Sequence, residues 1–162
     1  PCAAKKLEAN RKSVRSDVDY VLTFEELQGM FDAKKIVPAE IEADESESMH
    51  EGSAMGRGYA VGGGVAAAVV ETIKQLDPDR EVPTDYGDGL RECRKMLAMA
   101  KAGKRNGYLL EGMACPGGCV AGAGTIRPVR ESAMNVTQFK QRAKLQSAME
   151  TPFAARLKDV EE

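Results

Sequence analysis

The run Glu111-Gly112-Met113-Ala114-Cys115-Pro116-Gly117-Gly118-Cys119-Val120-Ala121-Gly122-Ala123-Gly124 places two cysteines four residues apart among five glycines and one proline. The apolar Tyr108-Leu109-Leu110 leads into it. A strand is therefore expected to stop at a glycine turn that carries thiols. Such a turn offers thiolates and bare backbone N–H groups together, the donors that sulfur-ligated metal clusters use. Taken alone, the spacing leaves other readings open. A C-x3-C pair with no second pair, and with the single His50 in an acidic stretch, is a poor zinc site. A disulfide conflicts with the reducing compartment suggested by four irregularly spaced cysteines in a chain of 162 residues. A purely structural glycine turn fits as well as a metal site.

The elements around this turn alternate. Asp17-Val18-Asp19-Tyr20-Val21-Leu22-Thr23 has the β-rich composition of a strand. Thr23 then reads as an N-cap, with Glu25 and Glu26 in the first turn and Phe24, Leu27, Met30 and Phe31 as apolar positions, so a helix is predicted to run to about Lys35. Residues 38–55 are acidic and predict a loop. After glycine-rich 56–64, Val65–Leu76 is helical by composition, and Asp77-Pro78-Asp79 breaks it. Glu81–Tyr86 predicts a short strand that Pro83 confines to an edge. Gly89–Ala102 predicts a helix with Leu90, Cys93, Leu97 and Ala100 on its apolar stripe, closed by Gly103. Tyr108–Ala114 is the strand feeding the cysteine turn, and a polar helix is expected over about Glu131–Met149. Strands alternating with helices imply an α/β fold, a parallel sheet of about four strands flanked by helices. Ligands of such sheets sit at the carboxyl ends of the strands, where the cysteine turn lies.

Charge and hydropathy remove several classes of function. A net charge of −2 gives no reason to expect a nucleic-acid partner. No apolar run approaches the roughly 20 residues of a membrane span. The start, Pro1-Cys2-Ala3-Ala4-Lys5-Lys6, lacks the apolar core of a secretory leader, so a cytoplasmic location is expected. With no tryptophan and 5% aromatic residues, the core must be aliphatic and methionine-filled. Other candidate sites carry less. Cys2, beside Lys5 and Lys6, has cations that favour a thiolate, although taken alone a plain free terminal cysteine is the better reading. Cys93, on a helix stripe, reads as a small core hydrophobe. Gly62-Gly63-Gly64 ahead of a helix could bind an anion at the helix start, or could simply allow close packing. A hydrolytic triad of His50 with Ser13, Ser16, Ser46 or Ser48 has no supporting pattern.

Two separated segments narrow this further. Pro1-Cys2-Ala3-Ala4-Lys5-Lys6-Leu7-Glu8 resembles the second signature of the iron–iron (iron-only) hydrogenases, and Glu111–Cys119 resembles their third. Asp17–Thr23 and the Gly63-Gly64-Val65 helix start fall in the family's order. The resemblance covers residues 1–125, leaving 126–162 as a helical tail. It implies one lobe of the hydrogenase catalytic domain, the C-terminal part, over the whole chain. It also implies reversible reduction of two protons by two electrons to H2, with ferredoxin as the electron partner. The implied cofactor is a 4Fe–4S cluster joined through a cysteine to a two-iron unit. By residue match Cys2, Cys115 and Cys119 are metal ligands, and Cys119 bridges the two subclusters. Lys5 would donate to a cyanide of the two-iron unit, Met113 would line its pocket, and Tyr59 and Val65 would form pocket wall.

The departures are as informative. The family's first signature, which would supply a fourth cluster cysteine and a proton-relay cysteine, is absent. The Gly122-Ala123-Gly124-Thr125 ending differs from the commoner pattern. The isolated chain is therefore expected to be an inactive piece of a longer protein, needing the rest of the catalytic domain as its partner. Lacking the fourth cysteine, the isolated chain is expected to be cluster-free or to hold only a labile cluster. A hydrogenase-related iron–sulfur binding or assembly protein, or a hydrogen sensor without high turnover, is the alternative.

Overall fold

The structure, a computed structural model, describes residues 2–13, 17–42, 44 and 50–156. Pro1, Ser16, Ser46 and Ser48 of the sequence reading lie outside the described residues. The chain divides into two compact units, one of Pro1–Ser48 with Ala121–Pro128, the other of Met49–Val120 with Val129–Glu162.

The first unit holds helices α1 (Ala3–Ala9) and α2 (Phe24–Lys34). Thr23 caps α2 as expected. Its hydroxyl accepts from the Glu26 N–H while the Glu26 carboxyl accepts from the Thr23 N–H, a reciprocal capping box. Lys35 ends the helix in a left-handed conformation (φ 55°). The Lys6 ammonium joins α1 to this cap, donating at 2.7 Å to Glu26 and at 3.0 Å to the Val21 carbonyl. The segment 121–128 serves both helix starts: the Ala123 carbonyl accepts from Ala3 N–H and the Gly124 carbonyl from Phe24 N–H. The strand expected over Asp17–Thr23 does not form among the described residues. No neighbouring strand of its unit pairs with it, Tyr20 is 87% exposed, and the Val21 carbonyl is taken by a side chain instead.

The second unit is built on a β–α–β crossover. Strand β1 (Thr84–Asp88), helix α5 (Leu90–Lys101) and strand β2 (Leu109–Met113) place the two strands parallel, with Thr84 opposite Leu109 and Asp88 opposite Met113. The α/β class holds. The sheet has two strands among the described residues rather than about four. Pro83 stands just outside β1, where its carbonyl accepts from Leu109 N–H at 2.9 Å. Before the sheet come the short helix α3 (Ala54–Arg57) and α4 (Gly64–Leu76); α6 (Val129–Gln141) packs on α3. The helix expected to reach Met149 stops at Gln141, and a single 3-10 turn follows at Ala148–Glu150. Gly103, at φ 74°, follows α5.

Ala54, Ala66, Ala68, Met96 and Val120 are the buried apolar residues of this unit among the described residues, so small and flexible side chains fill its core. The stripe expected on α5 is turned. Met96 is buried, whereas Leu90 and Leu97 are 72% and 59% exposed. The physical reason is the approach of α5 to β1 at Gly87. A β-carbon at Gly87 would lie 2.6 Å from the Cys93 backbone, so the helix meets the sheet along the line of Cys93 and Met96.

Lys6 holds the Glu26 carboxyl below the usual carboxylate range, with the Thr23 N–H adding to the effect. A lowered folded-state value means that this contribution is complete above the unfolded glutamate value, about 4.3, and is lost as pH falls through the folded value. Acid titration of wild type and Lys6→Met, followed by helical circular dichroism, should show the two stabilities converging as Glu26 protonates.

Candidate functional site

β2 ends at Met113, and the cysteine turn follows at the carboxyl edge of the sheet. Cys115 is half-buried, Cys119 is exposed, and both thiols are free. The turn is closed by Gly118 N–H donating to the Cys115 carbonyl at 2.9 Å. Gly117 and Gly118 have φ of 97° and 88°, two successive left-handed residues. Gly118 also permits contact with the turn after α3. A β-carbon there would fall 2.6 Å from the Gly62 nitrogen and 2.8 Å from the Ala60 oxygen. Val120 N–H donates to the Ala60 carbonyl at 3.1 Å and Gly62 N–H to the Gly117 carbonyl at 3.4 Å.

Two carboxyl groups organise this edge, and both correct the sequence reading. Glu111, buried in β2, accepts from Gly63 N–H at 3.0 Å and from Ala66 N–H at 2.7 Å. The start of α4, a candidate for an external anion, is thus served by an internal carboxyl, which favours the close-packing alternative. Asp88, at the end of β1, accepts from Gly117 N–H at 2.7 Å. The N–H groups of Gly117 and Gly118, expected to face a cluster, therefore bond within the protein. These glycines supply backbone conformation and close approach.

The remaining candidates are distributed as follows. Met113, Cys115, Cys119, Tyr59 and Val65 belong to the second unit, with Tyr59 in the turn after α3 and Val65 in the first turn of α4. Cys2 and Lys5 belong to the first unit. Cys2 is the N-cap residue of α1 and its side chain makes no cap bond. Lys5 is exposed and pairs with Glu8 on the same helix, which lowers the Glu8 carboxyl below its usual range. Within either unit, among the described residues, no three His, Cys, Asp or Glu side chains are gathered to hold a metal ion. Cys93 is engaged inside the fold: its thiol donates to the Gly87 carbonyl at 3.2 Å, with the Met113 carbonyl at 3.5 Å. Sequence reasoning missed Glu111 and Asp88. The signal for Glu111 was a lone acid between Leu110 and Gly112 in an otherwise apolar strand.

The model of the iron-only hydrogenase large subunit, C-terminal domain, matches residues 1–123. The chain belongs to the iron-only hydrogenase large-subunit family. Within this family it is 28% identical to the periplasmic Fe hydrogenase large subunit of Nitratidesulfovibrio vulgaris, over 92% of this chain and 43% of that protein. It is 28% identical to iron hydrogenase 1 of Clostridium pasteurianum, over 76% of this chain and 27% of that protein. A probable cytosolic Fe-S cluster assembly factor of Drosophila grimshawi is 24% identical, over 87% of this chain and 37% of that one. A solved structure described as showing stepwise assembly of the FeFe-hydrogenase H-cluster has the same fold, with a TM-score of 0.65 and 22% identity over 98% of this chain and 56% of that chain. The chain thus spans less than half the length of these curated hydrogenase relatives. The donor chemistry of the cysteine turn suits the iron–sulfur chemistry of this family: two free, soft thiols flank a fixed glycine pair.

Gly118→Ala and Gly63→Ala separate strain from crowding. Gly63 (φ 83°) has open space where a β-carbon would go, so its alanine should cost about 1–2 kcal/mol of left-handed strain. Gly118→Ala adds a backbone clash and should cost about 3 kcal/mol or more, read from urea unfolding. Glu111→Ala leaves two N–H groups without their acceptor and should cost about 3 kcal/mol in the same measurement, with Glu111→Gln between it and wild type.

Proposed function

We propose that this chain is the cysteine-bearing part of an iron-only hydrogenase catalytic domain, and that Cys2, Cys115 and Cys119 are three ligands of its 4Fe–4S cluster. The observation that carries the reading is the free Cys115–Cys119 pair on a braced glycine turn at the carboxyl edge of the sheet, inside the family-matched span. In this reading Cys119, the more exposed of the two cysteines, would be the ligand shared with a two-iron unit. Lys5, which pairs with Glu8 on α1, would donate to a cyanide ligand of the two-iron unit, a role suited to a compact cation with three donors. Met113 packs against the two-iron unit without competing as a donor. Tyr59 and Val65 complete the wall. The bound cluster supplies the electron storage and hydrogen chemistry of reversible proton reduction to H2. The protein supplies ligands, orientation and exclusion of water.

The remaining cluster cysteine and the proton-relay cysteine come from the rest of the catalytic domain in this proposal, and the electrons from ferredoxin. The chain alone is inactive, and a cluster held by three cysteines and a foreign fourth ligand is labile. The proposed location is the cytoplasm. A second reading, cluster binding for assembly without H2 turnover, is favoured by the similarity to the Drosophila assembly factor.

Anaerobic reconstitution with ferrous iron and sulfide tests ligation. Wild type should develop thiolate–iron charge-transfer absorbance, Cys115→Ser and Cys119→Ser should lose most of it, and Cys93→Ser should keep it. Equal absorbance in all four would end the ligand assignment. Joining the chain to a segment carrying the first signature, followed by maturation and an H2-uptake assay, separates the two readings: uptake supports the hydrogenase, and a stable cluster without uptake supports assembly.

A further inference from the structure

We propose that Asp88 is the positioning residue of the cysteine pair: its carboxyl fixes Gly117, midway between Cys115 and Cys119, and so sets the spacing at which the two thiols meet iron. The inference rests on the reading above that this pair takes iron.

Gly117-Gly118 is the place where the turn has most conformational freedom, because glycine loses more backbone entropy on ordering than any other residue. Both residues sit at positive φ. The Gly118 N–H closes the turn on Cys115, but that bond leaves the Gly117 peptide free to rotate unless something outside the turn holds it. Asp88 does so with Oδ1 at 2.7 Å, a short bond from a half-buried side chain. The holder is itself fixed. Asp88 ends β1 in register with Met113, the last residue of β2, and the next N–H, of Gly89, donates to the Met113 carbonyl at 2.8 Å. Gly89, at φ 97°, lets Pro116 come close: a β-carbon there would be 3.2 Å from the proline ring. One strand end therefore grips the exit of β2 and the centre of the turn. A ligand pair mounted on a strand end is held to closer tolerance than one on a free loop. The Gly117 carbonyl, on the far side of the same peptide segment, accepts from Gly62 N–H, so the residue is held from two directions.

The test compares wild type, Asp88→Ala and Asp88→Asn in the full chain, with folding checked by circular dichroism. Amide exchange at Gly117 reads the bond. Alkylation rates of Cys115 and Cys119, by peptide mass spectrometry, read thiol order before metal is added. Loss of charge-transfer absorbance to a chelator after anaerobic iron and sulfide loading reads the consequence for iron. In Asp88→Ala, Gly117 should exchange about tenfold faster, as expected for loss of one ordinary hydrogen bond. Both thiols should alkylate faster and iron should leave several-fold faster. Asp88→Asn keeps an acceptor oxygen and should restore all three rates close to wild type, a rescue not expected of a bulk stability effect. Should Asp88→Ala fail to fold, Asp88→Ser, with a hydroxyl too short to span the gap, carries the same comparison. Iron held equally by wild type and the disrupted variant overturns the Asp88 assignment alone. No iron on wild type overturns the cysteine reading and this inference together.

Discussion

The buried carboxyl of Glu111 is the contact on which the second unit depends. It is part of β2, yet it accepts the N–H groups of Gly63 and Ala66 at the start of α4. A buried acid is costly unless it is bonded, and the first N–H groups of a helix are orphaned unless something accepts from them. Each defect removes the other. The consequence is geometric. The glycine passage ahead of α4 is brought to the strand that delivers the cysteines, and the turn after that strand lies against Ala60 and Gly62. Asp88 repeats the device one strand over. Two acids and a set of glycines thus replace the large apolar contacts that this unit, with its alanine-rich core, does not have.

The legible parts of the fold were those set by local chemistry. Thr23 with Glu26, the small-residue run of α4, and Gly103 after α5 mark helix ends whatever surrounds them. β2 was legible because a short apolar run meets a glycine turn. The failures share one cause, dependence on distant partners. Asp17–Thr23 has the composition of a strand, but its own unit has no strand for it to pair with among the described residues. Leu90 and Leu97 fit a helical stripe, but the face of α5 that meets the sheet is chosen by the gap at Gly87. Two strands appear among the described residues where about four were expected, since alternation of elements does not count them.

The site divides along the same line. The cysteine pair and its glycines stood out in the sequence because few folds place those residues together. What braces them did not. An acid in a strand ordinarily reads as a solvent-facing residue, and nothing near Asp88 in the sequence points to Gly117, which lies 29 residues away. The glycines also proved easier to notice than to interpret: their positive φ and close approaches are local necessities, while the direction of their N–H groups is decided by acceptors elsewhere in the chain.

The packing of Cys93 on Gly87 carries a consequence for how this surface can change over time. A β-carbon at Gly87 would meet the Cys93 backbone, and one at Gly112 would stand 3.2 Å from its sulfur. The sulfur sits between two glycines on neighbouring strands, so the space open to a side chain at either glycine is set by the residue at 93. A side chain at Gly87 would have to move the backbone of the helix, whereas one at Gly112 asks the Cys93 sulfur to give by only a few tenths of an ångström. Freedom to vary is left to the outer face of that helix, where Leu90 and Leu97 already stand clear of the protein body.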